Sequence, residues 1–135
     1  MILSQNHLEV ILLSVVLFWS EQCEGTHAEI TDSLGPNKDL TLHCKSKNDD
    51  LGVHILNYND SFGFGLAPNI WMTTLFFCSF GWGTTAELHW FDIYSAHKDK
   101  CDLCLWSVVF SGPCFFNDSS RQFDICHLWN NTVGN

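Results

Sequence analysis

Cys101 and Cys104 stand two residues apart in "CDLC", a spacing shared by zinc ribbons and dithiol redox sites. His89 and His127 lie a few positions from Asp92 and Asp124, and an imidazole beside a carboxylate is the least that a hydrolase requires. The run "KSKNDDLGVHIL" gathers Asn48, Asp49 and Asp50 as a calcium loop would. Each chemistry makes a demand on its surroundings. An EF-hand loop closes on a glutamate, where this run has Leu56, and Lys45 and Lys47 would repel a divalent cation. The run therefore reads as a connection between two strands. A redox CxxC uses a helix N-terminus to hold its thiolate, whereas this one enters the β-type run "CLWSVVF". No G-x-S-x-G elbow and no H-E-x-x-H box occurs, so no catalytic residue, metal or cofactor is assigned.

The N-terminus decides what the thiols do. Residues 8–19, "LEVILLSVVLFW", form an apolar block too short to cross a bilayer and suited to the core of a secretory signal. Small residues Cys23 and Gly25 follow, which places cleavage after Gly25 and leaves one domain over residues 26–135. Of seven cysteines, Cys23 leaves with the leader. Cys44, Cys78, Cys101, Cys104, Cys114 and Cys126 remain, an even set that in a short exported chain reads as a disulfide framework with its connectivity open. Loss of Glu9, Glu21 and Glu24 leaves twelve acidic against six basic residues, a net charge of −6. Such a chain has no basic stripe to displace counterions from nucleic acid and no basic amphipathic segment for stable membrane insertion.

Beyond the leader the apolar period is two. Leu40, Leu42 and Cys44 share one face of "DLTLHC", and Val53 and Ile55 alternate with His54. "FGFGL" sets Phe62, Phe64 and Leu66 opposite Gly63 and Gly65, glycines that suggest a bulge or a close strand crossing. "TTLFFCSF" is apolar on both faces and reads as a central strand, followed by "AELHWFDIY", "CLWSVVF" and "RQFDIC". Turn-type clusters separate them: "GPNK", "KSKNDDLG", "NYND", "LAPN", "GWGTT", "SAHKDKCD", "SGP" and "NDSS". The pattern predicts an all-β fold, a small disulfide-stabilised antiparallel β-sandwich of about seven to nine strands. The aromatic residues, Trp71 among them, read as its core. Sequons at Asn59, Asn117 and Asn130 fall in or beside turns, where N-glycans could be accommodated.

Five segments in order, "LTLHCKSKNDDLGVHIL", "PNIWMTTLFFCSFGW", "LHWFDIY", "CLWSVVFSGPC" and "FDICHLW", resemble the plant self-incompatibility proteins and their S-protein homologues over residues 27–129. "FGFGL" and "GWGTT" depart from that pattern. The resemblance implies a secreted, disulfide-bonded β-sandwich without enzymatic activity, a ligand for a cell-surface receptor protein as in pollen rejection. It aligns Cys44, Cys78, Cys104, Cys114 and Cys126 with family cysteines, and Cys101 completes the even count. It also implies recognition through exposed loops, which singles out Lys45, Lys47, Asn48, Asp49 and Asp50 in one loop and His97, Lys98, Asp99 and Lys100 in another. Two rivals make other demands: a membrane-active defence protein would have to perturb vesicles, and a hydrolase would need His89 or His127 beside Asp92 or Asp124.

Overall fold

The structure is a computed structural model that describes residues 25–69, 71–84 and 86–130. The expected leader cleavage falls at the edge of these residues, and the leader up to residue 24, with Cys23, lies outside them. Nine strands are present among the described residues: β1 (Thr26–Asp32), β2 (Leu40–Lys45), β3 (Asp50–Leu56), β4 (Ser61–Leu66), β5 (Leu75–Gly81), β6 (His89–Ser95), β7 (Leu103–Val109), β8 (Gly112–Asn117) and β9 (Gln122–Cys126). They form a five-stranded sheet, ordered β4-β1-β7-β8-β9, and a four-stranded sheet, ordered β3-β2-β5-β6. The two apolar faces meet as an all-β sandwich. No helix among the described residues is long and apolar enough to cross a membrane.

The expectation of an antiparallel sandwich needs one correction. β1 and β7 pair in parallel, His27 opposite Leu103 through Asp32 opposite Val108, so the larger sheet is mixed. Strand β1 itself was not legible, because its inward set of Thr26, Ala28, Ile30 and Asp32 begins and ends on polar residues. Strand β8 was hidden by its start: "SGP" reads as a turn, yet Gly112 and Pro113 already pair with Val109 and Val108. Gly112 has φ of 148°, and a Cβ there would come within 1.9 Å of the His127 carbonyl oxygen, so the close approach of the following segment requires glycine.

Core faces follow the two-residue period. Leu40, Leu42 and Cys44 of β2 and Phe76, Cys78 and Phe80 of β5 are buried, and β5 is central in its sheet, flanked by β2 and β6. Ile30 and Val108 meet them from the other sheet. The sheets are also joined by a hydrogen bond: the Trp106 indole N–H of β7 donates to the Ile93 carbonyl of β6 at 3.1 Å. The Phe91 ring meets the Trp106 indole edge-on at 5.3 Å.

Strand pairing resolves two local readings. Leu56 pairs with Leu40 and faces the core, which by parity sends Val53 and Ile55 outward, 61% and 67% exposed. His54 takes the inward side, its ring stacked on Phe62 at 4.0 Å and its Nε2 bonded to the Leu51 carbonyl at 2.8 Å. In "FGFGL" there is no bulge, because β4 runs in unbroken register with β1. Gly63 instead makes room for a side chain: a Cβ there would stand 2.9 Å from His27 Nε2.

The six cysteines pair as Cys44–Cys78, Cys101–Cys104 and Cys114–Cys126. The first and third join residues directly opposite each other on paired strands. In the chain-entropy model their loops, with sequence separations of 34, 3 and 12, correspond to about 4, about 2 and about 3 kcal/mol respectively. Asp32 is the exception in the core. It is buried, its Oδ1 accepts the Leu34 N–H at 2.9 Å, and its Oδ2 has no hydrogen-bond partner among the described residues. Burial, with the like charges of Asp39 and Asp60 adding to it, raises its pKa above the ordinary carboxylate value.

Two measurements follow. In urea, the Cys44→Ala/Cys78→Ala pair should lose more stability than the Cys101→Ala/Cys104→Ala pair, by about 2 kcal/mol; equal losses would refute the loop-length argument. Because the folded state holds the Asp32 proton more tightly than the unfolded chain, stability should fall as pH rises from the ordinary carboxylate value through the raised one. Asp32→Asn should flatten that slope in a pH series of unfolding midpoints, and an unchanged slope would contradict the assignment.

Candidate functional site

Because strands alternate in direction, the connections divide between two ends. The β2–β3 turn (46–49), the β4–β5 loop (67–74), the β6–β7 loop (96–102) and the β8–β9 turn (118–121) all lie at one end. Both loops singled out in the sequence are therefore neighbours of one surface, although about fifty residues separate them along the chain.

Each is braced from within. In the β2–β3 turn Ser46 N–H donates to the Asp49 carbonyl at 2.8 Å, and Asp49 N–H donates to Ser46 Oγ at 3.1 Å. The turn is shorter than the sequence suggests, since Lys45 and Asp50 are paired strand residues. Asp50 Oδ1 accepts the Gly52 N–H at 2.9 Å and meets His43 Nε2 at 2.6 Å, while Lys45 Nζ stands 4.0 Å from Oδ2. The Gly52 amide, then the His43 ring, holds the Asp50 carboxyl below the ordinary carboxylate value. Asp50 thus serves the hairpin, and Lys47, Asn48 and Asp49 are the residues the turn presents.

The β6–β7 loop is built alike. Asp99 Oδ2 accepts the Ser95 N–H at 2.7 Å, and the Lys98 and Asp99 amides donate to the Ser95 carbonyl. The Cys101–Cys104 bridge and a bond from His27 N–H to the Asp102 carbonyl at 2.8 Å tie the loop's exit to β1. Asp99 is committed to this bracing, whereas His97, Lys98 and Lys100 are exposed.

The sequence did not single out the β4–β5 loop, which lies between the other two. Asn69 organises it: its Oδ1 accepts the Thr73 N–H at 2.9 Å, its Nδ2 donates to Thr73 Oγ1 at 2.8 Å, and its own N–H donates to Thr74 Oγ1 at 2.9 Å. Trp71, expected in the core, is 76% exposed, and Met72 at φ 57° is 43% exposed. A cleft of about 620 Å³ separates this loop from the β2–β3 turn, with Lys47, Asn69 and Thr73 on its walls and Leu66 and Phe76 at its base. On the other side a depression of about 240 Å³ runs between Pro68 and Met72 and the loop residues Asp99 and Lys100. A third, of about 410 Å³, continues from Lys100 past Leu103 and Phe116 to Arg121. The available signal was polarity: "APNIWMTT" places Trp71 among turn formers and not within an alternating run.

The hydrolase demand is not met. His89 stacks on Trp82 at 4.5 Å and His127 lies against Phe91 at 5.4 Å. Asp124 accepts from Ser120 and Asn117, which hold its carboxyl below the ordinary value. Among the described residues the one histidine–carboxylate contact is His43–Asp50, and no group of three or more His, Cys, Asp or Glu side chains converges as metal ligands would. Of the sequons, Asn59 and Asn130 are exposed, the former at φ 71°, while Asn117 Oδ1 accepts the Ser119 N–H at 3.0 Å.

Comparison with known proteins gives a consistent result. The family described as plant self-incompatibility protein S1 matches residues 27–129. The chain is 44% identical to S-protein homolog 2 of Arabidopsis thaliana over 112 residues, covering 78% of this chain and 68% of that protein. It is 35% identical to S-protein homolog 3 of the same plant over 144 residues, covering 96% and 95%. A solved structure of SPH (self-incompatibility protein homologue) proteins, described as small, highly stable, secreted proteins from plants, has a TM-score of 0.61 at 22% identity, covering 79% of this chain and 96% of that one.

The bracing of the β2–β3 turn has a measurable consequence. With its folded pKa held low, Asp50 adds stability that is present above the ordinary carboxylate value and is lost as pH falls through the folded value. His43→Ala should move the Asp50 titration, followed by NMR, back toward the ordinary value; an unmoved titration would remove the His43 contact from the account.

Proposed function

The chain belongs to the plant self-incompatibility protein S1 family, and from that membership we propose that it is a secreted extracellular ligand that binds a cell-surface receptor through its loops and performs no catalysis. The observation that carries the reading is the gathering of the β2–β3, β4–β5 and β6–β7 loops at one end of a disulfide-bonded sandwich. Each loop is held by its own hydrogen bonds, which lowers the ordering cost of association. Loops on a rigid scaffold can vary in partner without disturbing the core.

Export is supported by the leader pattern of residues 8–19, by three disulfides that suit an oxidising compartment, and by the secreted character ascribed to the solved relative. N-glycans at Asn59 and Asn130 would be carried away from the gathered loops, because both residues sit at the opposite end. Asn117 closes β8 at the margin of the loop end, and a glycan there would border the surface.

Purified, oxidised protein applied to pollen tubes and other plant cells should raise cytosolic calcium in a responsive cell type and bind that surface saturably. Reduction of the disulfides should abolish both. Retained binding by the reduced, unfolded chain would refute the role given to the rigid loops, and leakage of protein-free vesicles at micromolar concentration would favour a membrane-active protein instead.

A further inference from the structure

The loop end is set apart by charge as well as by shape. The chain has six lysines and arginines against fifteen acids, and five of those six cations lie at this end. Lys45 closes β2, Lys47 is in the β2–β3 turn, Lys98 and Lys100 are in the β6–β7 loop, and Arg121 is in the β8–β9 turn. Lys38 alone sits at the opposite end, which also carries the exposed acids Asp39, Asp60 and Glu87.

The same end carries five acids, of which three are engaged. Asp50 is held by Gly52 and His43, Asp99 by the Ser95 amide, and Asp118 lies 3.9 Å from Arg121. Asp49 uses its backbone in the turn and keeps its carboxylate at the surface, as does Asp102. No carboxylate among the described residues lies within 4.0 Å of the ammonium groups of Lys47, Lys98 or Lys100. Lys47 faces the Trp71 loop across the larger cleft and Lys100 across the smaller one, and Lys98 is in the same β6–β7 loop as Lys100.

Resting on the receptor reading above, we propose that this end docks an acidic segment of a protein partner, with Trp71 as its apolar anchor and Lys47, Lys98 and Lys100 as its charge complement. An indole left largely in water forgoes the burial that stabilises its neighbours, and tryptophan is the side chain that most often dominates an interface when a partner covers it. The Asn69 hydrogen bonds fix the loop before binding, so little of the contact is lost to ordering it. Unpaired lysines around the anchor steer an acidic partner and fix its register. An anionic membrane fits less well, because three unpaired lysines fall short of the roughly four to eight clustered cations that anionic lipid surfaces select.

The test uses the intact, oxidised protein, fluorescently labelled, on plant cells, with poly-L-glutamate and phosphatidylserine vesicles as competing probes. Trp71→Ala, and separately the Lys47→Glu/Lys98→Glu/Lys100→Glu variant, should each weaken saturable binding about tenfold or more without moving the unfolding midpoint. Lys38→Glu at the opposite end should bind as the parent does, and poly-L-glutamate should compete while vesicles do not. Parent-like binding by Trp71→Ala or by the triple reversal overturns the docking surface and leaves the receptor reading standing. Competition by vesicles alone overturns the acidic protein partner, and the absence of saturable binding by the parent on any cell overturns both proposals.

Discussion

The parallel pairing of β1 with β7 is the constraint on which the architecture turns. Without it the larger sheet would separate into a β7–β8–β9 meander and a β1–β4 pair, the latter too small to stand by itself. With it, Ala28 and Ile30 are carried into contact with Cys104 and Trp106, which join the first half of the chain to the second. The same pairing aligns the starts of the two strands, so the β6–β7 loop arrives beside the N-terminus of the domain, where His27 bonds to Asp102. A six-residue register thereby decides which loops share an end.

The other structural elements reinforce that arrangement with different physics. Cys44–Cys78 lies inside the core at the centre of the smaller sheet, where apolar burial and a long closed loop act together. Cys101–Cys104 closes the shortest of the three loops and adds the least to global stability, and its position at the entry of β7 suits it to shaping the loop beside it. The Trp106 hydrogen bond satisfies an indole N–H that would otherwise be buried without a partner, and it connects the sheets by the same atom pair. Stability is concentrated between the sheets, while exposed charge and the exposed Trp71 are concentrated at one end. That division lets the surface change without cost to the core.

The strands with strong apolar alternation were legible: the sequence segments around β2, β5, β6, β7 and β9 all form strands, and the inward face of β2 is as expected. The failures share a cause. β1 and β8 carry polar, glycine or proline residues at their ends, and only pairing to neighbours distant in sequence makes them strands. Val53 and Ile55 have core-like side chains on the wrong parity, which Leu56 settled by pairing with Leu40. Trp71 looked like core because its type is apolar, whereas the polar residues around it were the better guide. Of the two loops singled out in the sequence, Lys45, Lys47, Asn48, Asp49, Asp50, His97, Lys98 and Lys100 are exposed, and Asp50 and Asp99 also brace their loops, a role that depends on hydrogen-bond geometry.

By itself the amino-acid order determined the β class, the number of cysteines that an exported domain could pair, the alternating core faces and the family pattern, because these depend on local period, composition and short ordered motifs. Tertiary structure alone decided which cysteines join, that one strand pair runs parallel, and that three loops far apart in the chain form one surface with most of the cations and an exposed tryptophan. Those outcomes depend on which strands meet across long separations in sequence, and no local period encodes that choice.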